Sequence, residues 1–187
     1  FWGREYLGLD DNGEFILGEE DKVIGNAQPD FTMGIGMNFS YKNLDFGFTG
    51  YGVFGQDVLN ATEMMLNDPN RMPSYNIQDS FVGSPIQSAP TYSSYWIEDA
   101  SFFRLQTATV GYTIPFKESK AKLRVFVLGQ NLFVITGYNG VDPEINNTAN
   151  ASDTPGFSDR LSPGIDRFNN YPRPRTISLG LNFTLGN

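Results

Sequence analysis

Hydrophobic and polar residues alternate strictly along Thr176–Leu185, with Ile177, Leu179, Leu181, Phe183 and Leu185 on one side of an extended chain. Thr176, Ser178, Gly180, Asn182 and Thr184 fall on the other side, because successive strand side chains point to opposite faces. The apolar row carries no charge, and the run is long enough to cross a bilayer at a tilt, which takes roughly 9–11 residues. The same period recurs in 31–40 (Phe31, Met33, Ile35, Met37, Phe39), in 44–54 (Leu44, Phe46, Phe48) and in 101–114 (Ala108, Val110, Tyr112, Ile114). Between Phe102 and Gln106 the parity is less clean, which predicts a bulge. In 123–135, Arg124, Phe126, Leu128, Gln130, Leu132 and Val134 share one face, but Val125, Val127 and Phe133 occupy the other, so the membrane side stays open. Phe1–Leu9 follows the pattern less regularly and completes about six predicted strands.

The connections alternate between short and long. Turns at 41–43 and 115–122 are tight, whereas 10–30, 55–100 and 137–171 read as long polar loops. Short turns on one side and long loops on the other are the habit of outer-membrane barrels. They are unusual in a soluble domain. Within the second long loop, Asp57–Asn67 predicts a short helix capped by Asp57 and stopped before Pro69. The fold class is therefore all-β, a membrane-spanning antiparallel barrel. Because the smallest bacterial barrels have about eight strands, residues 1–187 are expected to be the carboxyl-terminal portion of a larger one. The plug and first barrel strands, and any targeting segment, would lie outside it.

Composition narrows the chemistry. Hydrophobic residues are 40% and mean hydropathy is -0.31, values that suit a barrel whose strands hide half their side chains in a polar lumen. No stretch has the apolar length of a membrane helix. Cysteine and histidine are both absent, which removes disulfides, thiol chemistry, the usual general base and the commonest metal ligand. A formal charge of -8 argues against nucleic acid as a partner. Scattered carboxylates single out no glycosidase pair, so no enzyme activity, catalytic residue or cofactor is expected.

Candidate contacts come in three groups. Tyr92, Tyr95 and Trp96 end the second long loop and offer a stacking platform for sugar rings or a lid contact; the simpler alternative is a packing cluster or interfacial girdle. Gln130 and Asn131, after Gly129, are polar within a strand and suit a lumen contact with substrate, or else a hydrogen-bonded strand end supporting a neighbouring loop. Asp142, Glu144, Asp153, Asp159 and Asp166 offer oxygen ligands for Ca²⁺, but pairing with Arg160, Arg167, Arg173 and Arg175 explains them as well. Asp10–Glu14 lacks full calcium-loop spacing and reads as a turn. No metal site is expected.

Several passages, in order, resemble SusC-like (RagA-like) TonB-dependent transporters of the Bacteroidota outer membrane. Val23–Thr32 is similar to that family's "viGnpqPdft", Trp96–Leu105 to "w-veDgSylRLkn", and Val110–Pro115 to "lGYtlP". Leu123–Thr136 resembles "lrvyvsgqNLftit"; Gly137-Tyr138 with Val141–Glu144 resembles "gYdPEv"; Gly164–Asp166 and Tyr171–Thr176 resemble the closing "GiD…yPqpRt". Ser178, Gly180, Phe183 and Leu185 resemble the terminal signal read by the barrel-assembly machinery, although Gly186-Asn187 follows it here. The 10–30 region is shorter than the Asp/Gly-rich insertion of many relatives. The resemblance implies a barrel of about 22 strands with a plugged lumen, surrounded by outer-membrane lipid. It also implies coupling to TonB through an upstream segment, a SusD-like surface lipoprotein as lid, and import of oligosaccharides or peptides. Two other readings remain: a soluble β-sandwich carbohydrate-binding module, and a passive porin-like barrel without energy coupling.

Overall fold

The computed structural model describes residues 1–116, 121–145, 163–167 and 171–185. In chain order the strands are β1 (Trp2–Leu9), β2 (Phe15–Val23), β3 (Phe31–Tyr41), β4 (Leu44–Phe54), β5 (Asp57–Leu59), β6 (Ile97–Asp99), β7 (Phe102–Pro115), β8 (Lys122–Thr136) and β9 (Thr176–Thr184). Among the described residues one α-helix, α1 (Ala61–Leu66), follows β5. The chain divides into two compact units.

One unit is a five-stranded sheet in the order β3-β4-β7-β8-β9. Lys42, in the left-handed region at φ 54°, turns β3 tightly into β4. That turn is as tight as the sequence predicts; residues 117–120 of the predicted turn at 115–122 lie outside the described residues. Partners directly across an antiparallel ladder share a face. Phe46 lies opposite Val110, Val110 opposite Val127, and Val127 opposite Leu179. One continuous apolar face therefore runs across the strands, and Leu123, Val125 and Val127 belong to it, which resolves the side left open in 123–135. It remains open to the surroundings: Ile177, Leu179 and Leu181 are 72%, 74% and 66% exposed. The other face carries Asp45, Thr49, Thr107, Thr109, Arg124, Ser178 and Asn182.

The predicted bulge is present. Thr49 pairs with Thr107 but Gly50 with Leu105, leaving Gln106 over on β7. Against β8, Leu105 meets Phe133 and Thr107 meets Gln130, so β8 carries an extra residue at the same level. These paired slips explain the parity change in the sequence. Phe103 and Leu105 share the apolar face with Ala108 and Val110 because one residue has been added between them.

The other unit comprises Phe1–Asp30, Phe54–Ser101 and Gly137–Pro172. Here two expectations need correction. Residues 10–30 are not one loop, since Phe15–Val23 forms β2 and pairs antiparallel with β1. Phe1–Leu9, a strand as expected, pairs in this hairpin, and the other five predicted strands make the five-stranded sheet. Residues 55–100 likewise fold around a core of their own: Leu59, Phe81, Ile86 and Trp96 are buried, with Phe1, Leu9, Phe15, Met64 and Ile165 packed on them. An averaged polarity concealed these few large apolar residues, whose spacing follows no single period.

The hairpin turn is held by Asp10, whose carboxylate accepts the Asn12 and Glu14 backbone N–H groups at 2.9 and 2.8 Å. The Glu14 bond is the main reason its carboxyl sits below the usual carboxylate range. The predicted helix is shorter than 57–67 and starts later. Asp57 lies in β5, accepting the Asn26 N–H at 2.7 Å. Asn60 caps α1 instead, accepting the Glu63 N–H at 3.0 Å.

Candidate functional site

The unit built from the long connections gathers an aromatic cluster. Tyr95 packs edge-on against Tyr6, Phe15 and Trp96 at centroid distances of 4.8, 5.5 and 4.7 Å. Trp96 itself is only 2% exposed and belongs to the core. In this arrangement Trp96 takes the packing place that the sequence left open beside the stacking platform. The cause is the short 3-10 turn at Ser94–Trp96, which turns Trp96 inward and leaves Tyr95 at the rim. Tyr92 lies beside the hairpin, donating its hydroxyl proton to the Trp2 carbonyl at 3.4 Å. Tyr92 and Tyr95 keep exposed surface, while partial burial raises both phenols above the ordinary value.

Beside this cluster lies a polar cavity of about 780 Å³, lined among others by Asn60, Thr62, Glu63, Gln78, Tyr95 and Asp166. Its groups are bonded mainly to one another. The Asn60 amide donates to Glu63 at 2.9 Å and to Glu98 at 2.8 Å. The Asn139 backbone N–H donates to the second Glu98 oxygen at 2.9 Å. The buried Tyr138 hydroxyl donates to Asp166 at 2.6 Å. Burial, with that bond second, holds the Tyr138 phenol far above its ordinary range. Burial and the neighbouring Glu98 raise the Glu63 carboxyl.

Sequence reasoning missed Asn60, Glu63, Glu98 and Tyr138. One signal was there: Asn60-x-x-Glu63 has capping-box spacing. Asp142 and Asp166 act as hydrogen-bond acceptors, Asp142 for the Glu144 N–H at 2.9 Å and Asp166 for Tyr138 and Thr62. Asp153, Asp159 and Arg160 lie outside the described residues.

The five-stranded unit has its own polar face. Gln130 is exposed there, between Thr107 on β7 and Thr176 on β9. Asn131 sits at the bulge with φ 50°, and its amide donates to the Pro174 carbonyl at 3.2 Å. That bond ties the end of β8 to the segment leading into β9. Nearer the tight turns, the Arg124 guanidinium reaches across β7 to Asp45, its Nε donating at 2.9 Å and its second nitrogen closing a fork. Gly111 makes the passage: a Cβ there would stand 2.5 Å from Arg124 and 2.6 Å from Asp45. Gly111→Val is expected to push the pair apart and lower stability by about 1–3 kcal/mol through overpacking, measured as a lower unfolding temperature of the full-length protein in detergent. Among the terminal-signal residues, Ser178 and Gly180 lie on the polar face with the Phe126 ring against Gly180. Phe183 lies on the apolar one, and Leu185 just beyond β9 is 76% exposed.

No family model matches the chain. It is 30% identical over 192 residues to TonB-dependent receptor P3 of Formosa agariphila, a match covering 96% of this chain and 19% of that receptor. It is also 30% identical over 191 residues to TonB-dependent receptor SusC of Bacteroides thetaiotaomicron, covering 95% of this chain and 17% of SusC. The solved RagAB peptide transporter shares the fold, with a TM-score of 0.74 at 18% identity, covering 97% of this chain and 22% of that one. Each is named as a receptor or transporter rather than an enzyme. The chain spans about a fifth of the length of these relatives. Along nearly all of its own length, then, the chain is similar to one stretch of TonB-dependent receptors, SusC among them.

Proposed function

We propose that this chain forms part of the barrel wall and outer loops of a nutrient importer in a bacterial outer membrane. The observation that carries the reading is the open apolar face of the five-stranded unit. A row of large side chains without a charge is stable against hydrocarbon and unfavourable in water. Strands of 9 to 15 residues have the length of a bilayer crossing. The opposite face, with its hydroxyls and the Asp45–Arg124 pair, suits a lumen. On this reading the parent protein works with a SusD-like surface lipoprotein, draws on TonB, and carries oligosaccharides or peptides. Tyr92, Tyr95, Gln130 and Asn131 are the substrate-contact candidates, with Trp96 supporting Tyr95 from within.

A soluble sandwich module would need a second sheet over the apolar face, and its leucines would then be covered. The passive-barrel reading differs only in lacking a plug and TonB coupling. One experiment separates the three: isolate the outer membrane, capture the full-length parent protein in detergent, and identify what accompanies it. Outer-membrane residence with a SusD-like lipoprotein in near-equal amount is the expected result. A water-soluble parent would overturn the barrel reading, and a barrel with no lipoprotein and no TonB dependence of uptake would favour the passive one.

A further inference from the structure

The polar node beneath the aromatic cluster joins four separate stretches of chain. Asn60, the cap of α1, bonds at once to Glu63 in the helix and to Glu98 in β6, at 2.9 and 2.8 Å. Glu98 extends the connection to Asn139 through its other oxygen. The backbone of Asp166 bonds both ways, accepting the Thr62 N–H at 3.0 Å and donating to the Leu59 carbonyl at 2.9 Å, while its side chain accepts from Tyr138. Asn60 and Asp166 are 2% and 3% exposed. Because the groups lining the cavity satisfy one another, the network is built to hold segments together rather than to await a ligand.

The weak point of this node is its charge. Glu63 and Glu98 bring two carboxyl groups to a single amide, and among the described residues neither has an ion-pair partner. The other titratable groups facing them are Tyr95 from the 94–96 turn, Tyr138 from the segment after β8, and Asp166, already bonded to Tyr138. None of these supplies a positive charge. Burial and the Glu98 carboxylate beside it make Glu63 hold its proton more readily than an isolated carboxyl does.

We propose that the Glu63–Glu98 pair is a pH-sensitive latch: protonated, it locks α1 to β6 and the 138–139 segment, and doubly ionised, it releases them. The sign follows from linkage. The folded-state Glu63 carboxyl lies above its unfolded value, so its stabilising contribution is fully present below the unfolded pKa and is lost as pH rises through the folded one. This is the reverse of an ordinary salt-bridged carboxylate. The loops that carry Tyr92 and Tyr95 would therefore open more often in alkaline surroundings and close in acidic ones.

Hydrogen exchange on the full-length parent protein in detergent tests this, with protection corrected for intrinsic exchange rates. Between about pH 8 and about pH 5, protection across 57–67 and 94–99 is expected to rise several-fold as the Glu63 carboxyl takes up its proton. Glu63→Gln keeps the bond from the Asn60 amide without the charge and is expected to give protection that no longer varies with pH; Glu98→Gln, which gives up one of the two N–H bonds its carboxylate accepts, is expected to lower protection overall and to flatten its pH dependence. A wild-type protein whose protection in these segments is flat across that range overturns the latch, independently of how either variant folds. So does a pH slope unchanged in both variants while β7–β8 stay protected.

Discussion

Trp96→Ala is expected to unfold the loop-built unit while leaving the five-stranded sheet paired. Trp96 is 2% exposed and is packed among Leu59, Phe81 and Ile86, with Phe15 and Tyr95 against its ring. Removing so large a buried ring costs about 3–5 kcal/mol, from lost transfer energy plus the cavity left behind. Nearby groups cannot collapse into the space easily, since Asn60 is held by its bonds to Glu63 and Glu98 and its N–H bonds to the Trp96 carbonyl. Trp96→Phe should cost far less. The Trp96 indole N–H has no partner among the described residues, so replacing the indole by a phenyl ring forfeits no hydrogen bond. The measurement is limited proteolysis of the full-length protein in detergent, read by mass spectrometry. Cleavage within 55–100 should become rapid in Trp96→Ala, stay slow in Trp96→Phe, and spare β7 and β8 in both. Equal resistance of Trp96→Ala and wild type would show that the ring is not a core element.

Leu181→Arg should destabilise the protein by about 2–4 kcal/mol where that position lies near the bilayer midplane. Ser178→Arg, three residues away on the same strand, should cost much less. Leu181 stands opposite Val125 on the apolar face, whereas Ser178 stands opposite Leu128 on the face that carries Arg124 and Asp45. An arginine at 181 must desolvate its charge in hydrocarbon or distort the strand to reach water. At 178 it meets the polar side and water in the lumen. Folding into lipid vesicles, followed by denaturant titration, measures the difference. Equal tolerance at both sites would mean that the apolar face does not meet lipid, and would count against the barrel reading as a whole.

Much of the sheet was legible because its physics is local. A strand with lipid on one side and lumen on the other must alternate at period two, and Ile177 to Phe183 or Phe31 to Phe39 display that period without reference to any other part of the chain. Even the bulge left a local trace, since Gln106 shifts Phe103 and Leu105 out of step with Ala108 and Val110. The site was less legible. For Trp96 the sequence left a stacking platform and a packing cluster both open, and nothing in it shows that Phe81 and Ile86 come back to cover the ring. Asn60 could have been found from its spacing to Glu63; its bond to Glu98, in a strand 38 residues away, could not.

The sequence alone determined the membrane-length strands, their order of short and long connections, the resemblance to SusC-like receptors and the absence of histidine and thiol chemistry. Tertiary structure alone decided which face of β8 meets the apolar side, that Phe1–Leu9 pairs with Phe15–Val23 outside the five-stranded sheet, and that two carboxylates share one amide. The physical reason is the range of the forces involved. Alternation and turn chemistry act between residues a few places apart, whereas the loop core, the register across strands and the Glu63–Glu98 pair exist only once distant segments have been brought into contact.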